Sequence, residues 1–349
     1  MTKSRAALLI LASLLPTFLK AQSYSGPRCL GPYCLDRKLS QDDLFDRIGA
    51  PGTSPWYYRS ADNSQILYVI QSANFLVGGL VLRDSSYLKP SEVKSLTPTK
   101  EKLSAWKTTE GIRLGSSEED VRTAYGKPSG ETEVLSRSRV TPSETKRLYY
   151  KGRLNKGAMA AVFDVRNGKV SSIDLETDAF LGPDCLGIFC AYEDYSLRIL
   201  VARLGPPPKN ASRDGDYCYQ LQGATAFLHA KTGDENPQMV NTLLLSDFPN
   251  CGRSTPQSTE NDLRAWMTPE GIGLGSLEAD VRKAYGKPSQ EDKLDANTCC
   301  EYMLKSRRAG DKTLDIGNKR FYYQGRELER AEIGIRNGKV SYIMLCDSE

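Results

Sequence analysis

Residues 103–129, LSAWKTTEGIRLGSSEEDVRTAYGKPS, return as residues 263–289, LRAWMTPEGIGLGSLEADVRKAYGKPS, with 20 of 27 positions identical and no gap. Identity at that level marks an internal duplication, and it restricts the chain to folds assembled from two copies of one plan. The correspondence continues downstream. Tyr149-Tyr150 is matched by Tyr322-Tyr323, and VFDVRNGKVSSIDL from Val162 by IGIRNGKVSYIML from Ile333. Two short cysteine loops, CLGPYC (Cys29 to Cys34) and CLGIFC (Cys185 to Cys190), open the two copies.

A weaker repeat lies inside each copy. A short helical phrase ending in glycine and proline occurs four times: DDLFDRIGAP from Asp42, EDVRTAYGKP from Glu119, LRILVARLGPP from Leu197 and ADVRKAYGKP from Ala279. In the best-defined unit, Ser116 is the expected N-cap with Glu119 as its capping-box partner, and Ser276 takes the same place in the second copy. Val121, Ala124 and Tyr125 share one helix face. Gly126 and Gly286 suit a positive-φ cap, and Pro128 and Pro288 stop the helix. Asn167-Gly168 and Asn337-Gly338 each separate two alternating runs, a strong two-residue hairpin signal. The expectation is an α+β fold in which each half holds two helix-then-antiparallel-strand units, with helices packed on one face of the sheet.

The N-terminus reads as a targeting segment. Lys3 and Arg5 precede a mostly apolar run, Ala6 to Leu19, and small Ala21 offers a cleavage point. The run is shorter than the ~20 apolar residues a membrane span needs. The expected organisation is a signal peptide over 1–21, a first half over 22–181 and a second half over 182–349, with the boundary near Leu181-Gly182-Pro183. Cleavage removes Lys3, Arg5 and Lys20, so the formal charge falls from +4 to +1. That balance argues against nucleic acid as a partner. The expectation is an exported protein, periplasmic or extracellular, with no stable membrane insertion after cleavage.

An oxidising compartment favours disulfides. Cys29 with Cys34 and Cys185 with Cys190 close small loops, Cys218 is expected to pair with Cys251, and Cys346 with Cys299 or Cys300. The C-x-x-x-x-C spacing differs from the redox C-x-x-C, and both copies carry it, which favours a fastener in each.

Motifs for catalysis are sparse. The one histidine, His229, reads as a strand-end or surface residue, and no nucleophile elbow, zincin motif or phosphate loop occurs. Glu118, Asp120, Glu278 and Asp280 recur in both copies, but the first turn of a helix explains acids there. No catalytic residue, metal or cofactor is assigned. Tyrosine is in excess, 18 against nine phenylalanines. Tyr57, Tyr58, Tyr149, Tyr150, Tyr217, Tyr219, Tyr322 and Tyr323 lie in strand-like runs. Large, rigid, amphipathic rings suit protein recognition, and they also simply suit sheets. Trp106 and Trp266 occupy equivalent places and read as core anchors.

The pattern G-I-x-L-G-S-x-x-x-D-V-R-x-A-Y-G-K-P, then aromatic strands, then N-G-K-V-x-x-I, resembles the repeat unit of the beta-lactamase inhibitory protein family. It is also similar to the SmpA/OmlA family of bacterial envelope lipoproteins. The resemblance covers most of the mature chain and implies two tandem pairs of units, each pair forming one curved sheet. The lipoproteins' lipidation cysteine is missing here. The resulting expectation is a non-enzymatic binding module, an inhibitor or envelope assembly factor, that meets another exported or envelope protein through the open, tyrosine-bearing face of a sheet. The alternatives are a structural envelope protein without a tight partner and a carboxylate-based hydrolase.

Overall fold

A computed structural model describes residues 23–34, 39–52, 55–72, 76–135, 144–154, 157–177, 179–187, 189–190, 197–205, 215–221, 226–233, 240–248, 257–259, 266–292, 319–324 and 329–347. The expected signal peptide, Cys251, Cys299 and Cys300 lie outside these residues.

The described residues are mostly β, which overturns the α+β expectation: half of them are strand. The strands form four sheets, two of eight strands and two of two. In the first copy they are β1 (Cys29–Leu30), β2 (Tyr33–Cys34), β3 (Trp56–Arg59), β4 (Gln65–Ser72), β5 (Leu76–Asp84), β6 (Thr97–Pro98), β7 (Gly130–Leu135), β8 (Glu144–Leu154), β9 (Gly157–Arg166) and β10 (Lys169–Thr177). The second copy supplies β11 (Cys185–Leu186), β12 (Phe189–Cys190), β13 (Asp216–Leu221), β14 (Ala226–Thr232), β15 (Val240–Ser246), β16 (Gln257–Thr259), β17 (Gln290–Asp292), β18 (Lys319–Gln324), β19 (Glu329–Arg336) and β20 (Lys339–Asp347). The five helices among the described residues are α1 (Gln41–Ile48), α2 (Pro90–Ser95), α3 (Glu118–Tyr125), α4 (Leu197–Leu204) and α5 (Glu278–Tyr285), none longer than eight residues. The glycine-proline stops leave each helical phrase about two turns, while the alternating sequence between them extends into strands of up to eleven residues.

Both large sheets use one strand order. The first runs β6-β3-β4-β5-β10-β9-β8-β7 and the second β16-β13-β14-β15-β20-β19-β18-β17. Each joins two meanders through an antiparallel pair at its centre, β5 with β10 and β15 with β20. The hairpins at Asn167-Gly168 and Asn337-Gly338 take positive φ at both turn residues, as a type I′ turn requires. Strand alternation then separates two faces. One face of the first sheet, with Leu67, Leu80, Leu82, Leu148, Tyr150, Ala161, Phe163, Ile173 and Leu175, joins Leu44, Ile48, Val121 and Tyr125 in a single core cluster. The second core has the corresponding make-up and also takes in Tyr149 and Phe180 from the first copy.

Helix starts fall one residue later than expected. The N-cap of α3 is Ser117, which forms a reciprocal capping box with Asp120. Ser116 instead accepts a hydrogen bond from the Arg113 amide and closes the preceding turn. In the second copy Leu277 is the N-cap and carries no side-chain cap, while Ser276 accepts from the Gly273 amide.

The cysteine loops fasten each copy to its own tryptophan. Cys29–Cys34 and Cys185–Cys190 are disulfides that close two tiny hairpins. The Gly31 amide donates to Lys107 O, and Gly187 donates to Met267 O. Trp106 and Trp266 are buried against the loops, Tyr33 meeting Trp106 and Phe189 stacking on Trp266. A Cβ on Gly31 would come within 2.7 Å of the Trp106 ring, so only glycine allows this approach. Cys218 is also disulfide-bonded. Cys346 corrects the expectation: it retains its thiol and is buried with Leu244, Phe248, Tyr342 and Met344 instead of joining a disulfide.

Candidate functional site

The eight tyrosines divide by face, and most are structural. Tyr58, Tyr150 and Tyr219 lie in the cores, where each hydroxyl donates to a carbonyl just past a helix, Gly49, Gly126 and Gly205 respectively. Burial raises each phenol to about 12, so these groups stay protonated donors. Tyr323 is buried beside Tyr285, and Tyr217 packs half-buried on the second core. Tyr149 is buried at the junction of the copies, where its hydroxyl donates to Cys185 Sγ at 2.9 Å. Only Tyr57 and Tyr322 are half-exposed on the sheet faces turned away from the cores. Tyr57 stacks on Tyr68, with ring centroids 4.5 Å apart.

The recurrent acids hold the fold. Glu118 bonds Arg122 and Lys146, and Glu278 repeats the arrangement with Arg282 and Lys319. Burial works to raise the Glu118 pKa, but the hydrogen bonds from Lys146 and Arg122 outweigh it and the pKa is lowered. Asp120 and Asp280 are exposed at helix starts. His229, read as a surface or strand-end residue, is instead buried within β14.

The outer face of the first sheet holds the most distinctive chemistry. The strand register places Tyr57, Tyr68, Val81, Asp174, Val162 and Tyr149 in one row across β3, β4, β5, β10, β9 and β8. Arg59, Ile66, Arg83, Ser172, Asp164 and Arg147 form the adjacent row. A cavity of about 170 Å³ opens over this face, lined by Arg83, Arg147, Lys151, Asp164, Asp174 and Glu176 together with Tyr149, Val162, Phe180 and Asp184.

Most of its charges are paired. Arg147 Nε lies 2.7 Å from Asp164 Oδ1, and its Nη2 donates to Oδ2 at 3.2 Å. Burial opposes ionisation of Asp164, but Arg147 prevails and holds the pKa below the ordinary value. Lys151 Nζ lies 2.8 Å from Asp184 and over the Tyr149 ring. Arg83 Nε donates to Ser172 Oγ at 3.3 Å, and its guanidinium lies over the Tyr87 ring. Asp174 Oδ1, like Asp184 Oδ1, is buried and accepts no hydrogen bond. Burial, and then the charge of Glu176, push the Asp174 pKa well above the usual carboxylate range.

The equivalent face of the second sheet carries a buried cluster of Leu244, Phe248, Tyr342, Met344 and Cys346. Register and sequence place Met344 where the first copy has Asp174, Cys346 where it has Glu176, and Tyr342 where it has Ser172. Gly334 stands in for Asp164, and a Cβ there would fall 1.9 Å from the Tyr342 ring. That ring therefore occupies the space left by a missing side chain, and its hydroxyl bonds Glu332. The contrast between SSIDL and SYIML in the two hairpins is the signal for this difference that the sequence carries.

Comparison of the chain with protein-family models, with curated proteins and with solved structures yields no match.

Proposed function

We propose that this chain is an exported, non-enzymatic protein-binding module, periplasmic or extracellular, that recognises another exported or envelope protein through the outer face of its first sheet. The supporting observation is the divergence of two equivalent faces. The second is filled by Tyr342, Met344 and Phe248, whereas the first keeps Tyr57 stacked on Tyr68, both half-exposed, beside an unfilled cavity. Stacked tyrosines present wide apolar contact at low entropic cost and suit a binding hot spot. Two closed disulfides fit an exported chain, and no helix among the described residues is long and apolar enough to cross a membrane. The motif resemblance to the inhibitory proteins and envelope lipoproteins favours an inhibitor or an assembly factor as the form this binding takes.

The test is capture of partners from extracytoplasmic extract on immobilised, oxidised protein starting at Gln22, followed by titration of the purified partner. Tyr57→Ala and Tyr68→Ala should each weaken binding by roughly fivefold or more, the scale of interface hot spots, with the near-ultraviolet circular dichroism unchanged. Unaltered affinity in both variants would remove the first sheet's face from the reading.

A further inference from the structure

We propose that the joint between the two halves is a head-to-tail contact whose two sides recur at the outer ends of the chain, and that Arg28, Gln290, Asp292 and Gln324 at those ends exclude a second copy of the chain from continuing it. The inference does not depend on the first sheet's face meeting a protein.

Inside the chain, β7 and β8 of the first sheet receive the cysteine loop and the turn after Trp266 of the second copy. The Glu131 amide donates to Pro269 O at 3.0 Å, and Thr132 Oγ1 donates to Gly187 O at 2.8 Å. The Tyr149 hydroxyl meets Cys185 Sγ, and Lys151 Nζ lies 2.8 Å from Asp184 Oδ2. Gly130 lies flat against Pro269, where a Cβ would fall 2.9 Å from the proline carbonyl carbon. The receiving strands and the inserted loop are different surfaces, so the contact is heterologous, and a contact of that kind propagates unless something stops it.

Duplication places a copy of each surface at an outer end. β17 and β18 repeat the receiving strands, with Gln290 opposite Tyr322 as Gly130 is opposite Tyr149. The Cys29–Cys34 loop with Thr109 repeats the inserted surface. Burial records which copies are in use. Tyr149, Cys185, Cys190 and Pro269 are buried, whereas Tyr322, Cys29 and Cys34 are half-buried and Thr109 is exposed.

Three exchanges unfit the open ends for each other. Gln290 replaces Gly130, so a Cβ enters the space where the incoming backbone has to lie. Asp292 replaces Thr132 and sets a carboxylate, already paired with Arg320, against the Gly31 carbonyl, acceptor facing acceptor. Gln324 replaces Lys151 while Arg28 replaces Asp184, so the ion pair is gone and docking would bury the Arg28 charge uncompensated, which is costly. Repeat arrays are ended by such polar outer faces.

The experiment restores one end at a time in the oxidised mature protein and measures mass by sedimentation equilibrium. Arg28→Asp with Thr109→Pro rebuilds the inserted surface; Gln290→Gly, Asp292→Asn and Gln324→Lys rebuild the receiving strands, the asparagine keeping an acceptor for Arg320. Wild type and each variant alone should stay monomeric at concentrations approaching ~1 mM, the order a short linker supplies within one chain. The two variants mixed should form a saturable one-to-one complex, and both sets in one chain should give oligomers that grow with concentration. Omitting Gln324→Lys should weaken the mixed complex by roughly tenfold or more, as loss of one member of a buried charge pair does. A receiver with only Gln290→Gly and Gln324→Lys leaves Asp292 untouched, and it should still bind the other variant more tightly than wild type does. Near-ultraviolet circular dichroism identifies the folded preparations. A mixture of folded variants that stays monomeric, or a wild type that associates with itself as tightly as the mixture, would overturn the proposal.

Discussion

Replacing Asp174 by methionine should make the protein more stable at neutral and alkaline pH. The side chain projects from a central strand into a cavity where one carboxyl oxygen is buried without a hydrogen bond. Burying such a group costs ~1–3 kcal/mol in mutational series. Methionine removes that cost and the repulsion from Glu176, while Arg83 keeps Ser172 and Tyr87. For a half of this size, 1–3 kcal/mol corresponds to a rise in Tm on the order of 2–10 °C. The sign of the pH dependence follows from linkage. Asp174 has a higher pKa folded than unfolded, so between the two values the native state binds more protons and stability falls as pH rises. Below the unfolded value of about 3.9, both states are protonated and the charge-linked part of the cost vanishes. Scanning calorimetry of wild type and Asp174→Met at pH 4 and pH 8 should show the gain growing with pH. A variant less stable than wild type at pH 8, or a difference independent of pH, would refute the reasoning.

Two further outcomes follow from the packing. Replacing Cys29 and Cys34 by serine opens a six-residue loop and should cost about 2 kcal/mol by chain entropy, with the loosening of Trp106 visible as a shift in tryptophan emission during urea unfolding. Gly334→Ala forces a Cβ into the Tyr342 ring and should cost ~1–3 kcal/mol, as overpacking does. In a Tyr342→Ser background the same glycine change should be close to neutral, and additivity of the two in a double-mutant cycle would contradict the packing described.

Local chemistry was the legible part of this chain. Asn167-Gly168 and the two cysteine loops were readable because a turn of one or two residues sets its own geometry. Cap positions slipped by one residue because two adjacent serines, Ser116 and Ser117, offer the same oxygen, and only the hairpin packed beside them decides between them. The balance of helix and strand differs from the expectation because the four helical phrases end after about two turns, while the alternating segments between them run on as strands of up to eleven residues. Tyrosine periodicity indicated two faces, but it carried no information on what covers them. Tyr58, Tyr150 and Tyr219 proved to be donors to helix-end carbonyls. The cavity depends on β5 meeting β10, some ninety residues apart, as in the pair Arg83 and Ser172. No local signal specifies that pairing. What the sequence did hold was the contrast between copies, Asp174 with Met344 and Asp164 with Gly334.

The central strand pairs also bear on how the molecule assembles. A chain whose two halves share one strand order can misfold by matching a meander of one half to a meander of the other, the characteristic error of repeat proteins. Exchanging partners at the centre would set Arg83 of β5 opposite Tyr342 of β20, and Asp174 of β10 opposite Leu244 of β15. The arginine would lose the carboxylates that face it and meet the Tyr342 ring instead. The residues that distinguish the two faces thus act as an address during folding, directing each β-meander to the partner made in its own half.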